Sequence, residues 1–117
     1  YNTILKYESD LAAQMAKNMI MPAVLSYQGG LAETIKAVET SNKGKVVETR
    51  KILKEVTDLT ETAWEQIARL EKASPSGSAE KIKFAMEELR ETIDTLEGFV
   101  PTDTWPLPSY AEMLFLS

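Results

Sequence analysis

The stretch KILKEVTDLTETAWEQIARLEKA, residues 51–73, repeats its apolar side chains with the spacing of an α-helix. Small and apolar residues recur in steps of three and four, which is typical of a helix that packs against other helices. These residues are Leu53, Val56, Thr60, Ala63, Ile67 and Leu70. Charged residues occupy most positions between them, so the pattern predicts one helix of a bundle, over about residues 45–73.

A second stripe of apolar residues follows after a Pro- and Gly-containing break at residues 74–78. We call each of the two stripes a seam. The apolar residues of the second seam also step by four and three, and Gly98 and Pro101 are expected to end the helix. They are Ile82, Met86, Leu89, Ile93, Leu96 and Val100. The pattern predicts a shorter helix over about residues 78–98.

A longer apolar-periodic segment precedes both and predicts a first helix over about residues 3–41. Its recurring apolar residues are Leu11, Met15, Met19, Leu25, Leu31, Ile35 and Val38. No segment alternates strictly enough to predict a strand. Because short connections make neighbouring helices antiparallel, we expect an all-α fold, an antiparallel three-helix bundle forming a single domain of residues 1–117. A C-terminal strap, residues 99–117, completes it.

Composition excludes several functions. The chain has 117 residues, a net charge of −5 and neither cysteine nor histidine. Acidity argues against binding nucleic acid or an anionic lipid surface, since both need basic residues. The missing side chains are the commonest general base and the usual soft metal ligand. No apolar run approaches the roughly 20 residues of a membrane span, and we expect a cytoplasmic protein without membrane or nucleic-acid partners.

The first helix contains an unusual stretch, NMIMPAVLSYQGGLA, residues 18–32. A proline inside a helix removes a hydrogen bond and crowds the preceding turn, so a kink is expected. The surrounding residues are apolar on all sides of the helix, which predicts burial on all sides. The docking candidates are Ile20, Met21, Pro22, Val24, Leu25 and Tyr27. They either meet the C-terminal tail of the same chain or contact another domain or subunit.

The tail TDTWPLPSYAEMLFLS, residues 102–117, is apolar and contains two prolines. Prolines keep the preceding residues extended, and Ser109 with Glu112 forms a capping box that predicts a short final helix. The expected docking anchors are Trp105, Leu107, Tyr110, Leu114 and Phe115. The sequence leaves open whether this strap docks on its own bundle, on another domain of a larger protein or on a neighbouring subunit.

Chemistry-bearing clusters are few. Glu87, Glu91 and Asp94 form an acidic stripe, which is typical of a solvated helix face and only rarely of a cation site. An enzyme built on carboxylates such as Glu33 or Glu39 is disfavoured because no titratable partner lies beside them in an apolar setting. We therefore predict no catalytic, cofactor-binding or metal-binding residue in this chain.

Two motifs carry a family resemblance. MIMPAVLSYQGGLA resembles the segment that follows the catalytic region in type III glutamine synthetases, with its Pro-Ala and its aromatic-Gln pair, Tyr27-Gln28. WPLPSYAEMLF, residues 105–115, resembles the C-terminal signature of the same enzymes. The two stand in the right order with a charged helical spacer between them.

The resemblance implies a non-catalytic, structural or assembly domain at the C-terminus of an ATP-dependent ligase. Such a parent would join ammonia to glutamate in nitrogen assimilation, with ATP and magnesium or manganese as cofactors. Its partners would be the upstream catalytic domain and neighbouring subunits of a ring-shaped homo-oligomer. The chain begins with Tyr1 rather than methionine, which fits a fragment of a larger enzyme. The alternative is a free-standing helical module for protein–protein interaction.

Overall fold

The protein is known here from a computed structural model, which describes residues 2–42, 44–73 and 77–101. The first helix runs as α1 (Asn2–Met15), a π-helical segment (Ala16–Ile20) and α2 (Met21–Asn42). Then follow α3 (Val47–Ala73) and α4 (Ala79–Glu97). The described part of the chain contains no strand, and its three helices pack together. The predicted all-α fold of three helices, with a long first one, is confirmed.

The sequence predicts a kink at Pro22, and the structure has a π-helical segment, Ala16–Ile20, shortly before this proline. The backbone N–H of Met21 donates to the carbonyl of Ala16, five residues back. Pro22 has no N–H to offer, and its ring would clash with the carbonyl of Asn18 in a regular helix. Because a π turn holds one residue more than an α turn, it lets the helix continue past the proline and shifts its inward face by about one residue.

The two seams of α3 and α4 form the core as predicted. Five of the six seam residues of α3 are buried, and Leu53, the seam residue nearest the N-terminus of α3, is half-buried. On α4, Ile82, Leu89, Ile93 and Leu96 are buried, while Met86 is half-buried. Ala85 and Thr92 are buried beside them. A cap also starts α4, since the Ser78 hydroxyl accepts from the N–H of Lys81 at 3.3 Å.

The inward face of the first helix agrees only partly with the predicted one, since Ile35 is buried and Met15, Leu31 and Val38 are half-buried. Leu11, Met19 and Leu25 are exposed, with 43%, 36% and 45% of their surface accessible. Small residues take the inner positions instead. They are Ala12, Ala13, Ala16 and Ala23, accompanied by Leu5, Ser9, Ile20, Met21 and Val24. The periodicity of the large residues was misleading because alanine lets helix backbones approach closely, and because the π turn changes the phase of the helix.

The fold is an elongated rod, with principal extents of 58 × 23 × 17 Å. One ion pair and one hydrogen bond define the antiparallel register of the first helix and α3. Lys17 contacts Glu71 at 3.4 Å, and the Gln28 amide donates to the Thr57 hydroxyl at 3.0 Å. Because α4 is shorter than α3, the C-terminal part of α2 and the N-terminal part of α3 extend beyond the C-terminal end of α4, which we call the upper end of the bundle. We call this two-helix projection, residues 28–42 and 47–59, the α2–α3 hairpin.

Candidate docking surfaces

The predicted docking segment around Pro22 divides into a buried and an exposed half. Ile20, Met21 and Val24 are fully buried in the bundle's own core. They belong to one core cluster with residues of α3 and α4, such as Val56 and Leu89, and a contact of this segment with the tail or with a partner stays a prediction.

Pro22 and Leu25 are exposed, while Tyr27 is half-buried and packs against the core. They remain the part of the predicted segment that a partner could reach. Beyond them, Gly29 and Gly30 border open space, since apart from their own stretch of helix backbone no atom lies within 4 Å of where a Cβ would lie. Neither glycine is therefore required by close packing inside the described part of the bundle.

Of the described large apolar side chains of the first helix, the two most exposed lie elsewhere, on α1, and Leu11 shares their helix. Ile4, Tyr7 and Leu11 are 64%, 72% and 43% exposed. Steps of three and four residues place all three on one helix face. That face lies opposite the buried side of α1, which carries Leu5, Ser9, Ala12 and Ala16. We call it the α1 outer stripe.

The α1 outer stripe makes α1 apolar on both sides, which an amphipathic helix at the surface of a lone domain is not. Sequence reasoning singled out Leu11 as core and missed Ile4 and Tyr7 as surface anchors. The sequence does contain the pattern of this stripe, because Ile4, Tyr7 and Leu11 have helical spacing, but a second face rich in alanine competes with it for the inward side. Only the position of the partner helices decides which face turns inward.

The acidic stripe of α4 is engaged in ion pairs with a neighbouring arginine. Arg90 contacts Glu87 at 3.3 Å and Asp94 at 3.8 Å. All three side chains are about half exposed. Within residues 2–42, 44–73 and 77–101, no group of three acidic, histidine or cysteine residues could hold a metal ion.

One carboxyl group has a shifted pKa. Glu39 accepts from the Arg50 guanidinium, with Nε at 2.7 Å, and from the backbone N–H of Val46 at 3.4 Å. The Arg50 hydrogen bond is the main cause that lowers the pKa of Glu39 below its ordinary value. Glu39 thus joins the end of α2 to the start of α3 at the tip of the hairpin.

The remaining predicted anchors, on the strap, lie outside the described residues: Trp105, Leu107, Tyr110, Leu114 and Phe115. Among the helices that the structure does describe, none combines the length and the apolarity that crossing a bilayer requires.

Comparison with known proteins gives the chain a context. It is 25% identical to the type-3 glutamine synthetase of Dictyostelium discoideum and 27% identical to the glutamine synthetase of Bacteroides fragilis. These matches cover 99% and 98% of this chain but only 18% of each relative. No protein-family model and no solved structure matches. Over nearly its whole length, the chain is therefore distantly similar to a segment of type-3 and related glutamine synthetases.

Proposed function

We propose that this chain is a non-catalytic C-terminal helical domain of a glutamine synthetase, where it supports the structure and assembly of the enzyme. The whole protein would ligate ammonia to glutamate with ATP and a divalent cation, magnesium or manganese. The helical domain would pack on the upstream catalytic region and on neighbouring subunits of a ring.

The observation that carries the proposal is the similarity to two glutamine synthetases over 98% or more of the chain. It involves the entire helical unit rather than one short motif. The described residues also hold no metal-binding cluster, and their one shifted carboxyl is committed to an ion pair.

The α1 outer stripe supports packing against a larger body. Burying one large apolar side chain contributes roughly 1.5–3 kcal/mol, and aromatic residues such as Tyr7 are frequent anchors at interfaces. Three such side chains on one face of a single helix form a docking patch with polar residues beside it. A catalytic region or a neighbouring subunit is the partner that the proposed function supplies.

The test uses the full reading frame that contains this chain. We expect the encoded protein to form glutamine from glutamate, ammonia and ATP in the presence of magnesium or manganese, and the 117-residue chain alone to form none. A full-length protein that folds but makes no glutamine would contradict the enzymatic assignment.

A variant pair in the same full-length protein tests the supporting role. Tyr7→Asp should weaken assembly about tenfold or more, because it removes an apolar anchor and places a charge in the contact. Thr62→Asp, which adds the same charge at an exposed position of α3, should leave assembly unchanged. Equal oligomer distributions for both variants, measured by mass photometry, would remove the α1 outer stripe from the assembly contacts.

The second candidate is a free-standing interaction module that captures an apolar surface of another protein. The same stripe favours it, since apolar helix faces are common recognition elements. The two candidates differ in the reading frame: a frame no longer than this helical unit, with no ligase activity, would favour the module.

A further inference from the structure

The α2–α3 hairpin bears an apolar seam that continues beyond the third helix. We propose that the chain's own C-terminal segment, Thr102–Ser117, docks along this seam in cis and takes the place that α4 occupies lower in the bundle. The proposal does not depend on glutamine synthetase activity.

The end of α4 locates the uncovered part of the seam. Arg69 contacts Glu88 at 3.1 Å, which fixes the register between α3 and α4. From Glu88, α4 advances to Glu97 by about 13 Å, at 1.5 Å per residue. Because the two helices are antiparallel, α4 ends opposite the region of Thr60. The upper part of α3, from Val47 to about Leu59, then extends about 20 Å beyond the end of α4.

Burial along α3 decreases about two turns beyond the end of α4, since Val56, about one turn beyond it, is still fully buried. Ala63, Thr60 and Val56 are 0–1% exposed. Higher up, Leu53 is only half-buried and Ile52 is 37% exposed. On the facing helix, Leu31 and Val38 are likewise half-buried, although Ile35 between them is buried. Apolar side chains thus continue along the α2–α3 hairpin, where two helices cover them instead of the three helices that pack together in the rest of the bundle.

The C-terminal segment starts beside this seam. Val100 is 5% exposed and its N–H donates to the carbonyl of Leu96 at 3.0 Å, while Phe99 packs against the core. Pro101 is exposed, so the chain leaves the core at the upper end of α4. Residues 102–117 could span up to about 50 Å when extended, which is enough to follow the hairpin to its tip.

Tethering favours this occupant over a second copy. A segment linked by a few residues has an effective concentration near the millimolar range, and Pro106 and Pro108 reduce the freedom that docking must remove. Its apolar side chains offer the cover that the seam lacks. They are Trp105, Leu107, Tyr110, Met113, Leu114 and Phe115.

Cysteine cross-linking tests the contact in the 117-residue chain, which has no cysteine of its own. Ile52→Cys is combined in turn with Leu107→Cys, Tyr110→Cys and Leu114→Cys. A disulfide needs Cα atoms within about 7 Å, so at least one pair should oxidise to an intramolecular disulfide at least tenfold faster than its control. The control pairs carry Lys54→Cys instead, at a position whose side chain is 78% exposed.

The readout is the mobility of the oxidised chain under non-reducing denaturing conditions. A fast-migrating monomer specific to Ile52→Cys supports docking in cis. Predominant disulfide-linked dimers would show that a second copy covers the seam, and rates equal to those of the controls would show that the tail does not reach it. Either of these results overturns the proposal. Circular dichroism of each reduced variant verifies that the helices are retained.

Discussion

Leu89→Ala should lower the free energy of unfolding by about 2–5 kcal/mol, the usual cost of replacing a buried leucine by alanine. Leu89 is fully buried in the middle of α4. Its loss would leave a cavity among helices that have little other core to compensate, because the rod is only 17–23 Å thick. Urea unfolding followed by circular dichroism measures the change.

Phe84→Ala on the same helix is the matched control. Phe84 is 66% exposed, so its removal should change the unfolding free energy by no more than about 0.5 kcal/mol. If both variants lost the same stability, α4 would not present Leu89 to the core, and the seam from Ile82 to Leu96 would need another explanation.

Ala16→Leu should destabilise the bundle by about 1–3 kcal/mol through overpacking. Ala16 is fully buried where α1 meets the π-helical segment. A leucine there has no space unless the helices move apart, although leucine is an excellent helix former. The loss would therefore report on packing and not on helix propensity. Thermal or urea unfolding of the 117-residue chain provides the measurement.

Leu11→Ala is the companion variant and should have a small effect, within about 0.5 kcal/mol, because Leu11 is 43% exposed. The pair separates the two possible inward faces of α1. A large loss for Leu11→Ala together with a neutral Ala16→Leu would mean that the leucine face turns inward, as periodicity alone predicts, and would refute the packing described above.

The sequence predicts α3 and α4 well because each has only one apolar face. Val56, Ala63, Ile67 and Leu70 have no competing stripe on their helix, so the pattern identifies the inward side without knowledge of the neighbours. Their packing partners on α4 follow the same rule.

The first helix is harder to predict because it has two candidate faces and a phase shift between its halves. Leu11 is larger than Ala12 or Ala16, and a count of apolar size places it inside. The structure places the alanines inside, since small side chains permit close helix contacts. The π turn before Pro22 then moves the inward face by about one residue, which a constant helical period cannot represent.

The candidate docking site shows the same limit. The sequence identifies an excess of apolar side chains around Pro22 and predicts that something covers them. It cannot tell that Ile20, Met21 and Val24 find this cover within the bundle, while Ile4 and Tyr7 do not, because that depends on where α3 and α4 lie. Charge patterns were more informative: the acidic stripe on α4 was expected to be a solvated face, and Arg90 pairs with two of its members.

The central claim is that the α1 outer stripe is a contact surface of a larger protein. Hydroxyl-radical footprinting of Tyr7, compared between the isolated chain and the full-length protein, tests it most directly, since Tyr7 is 72% exposed in the bundle. We expect Tyr7 to be oxidised rapidly in the isolated chain and to be strongly protected in the full-length protein. Equal oxidation rates in both would contradict the claim.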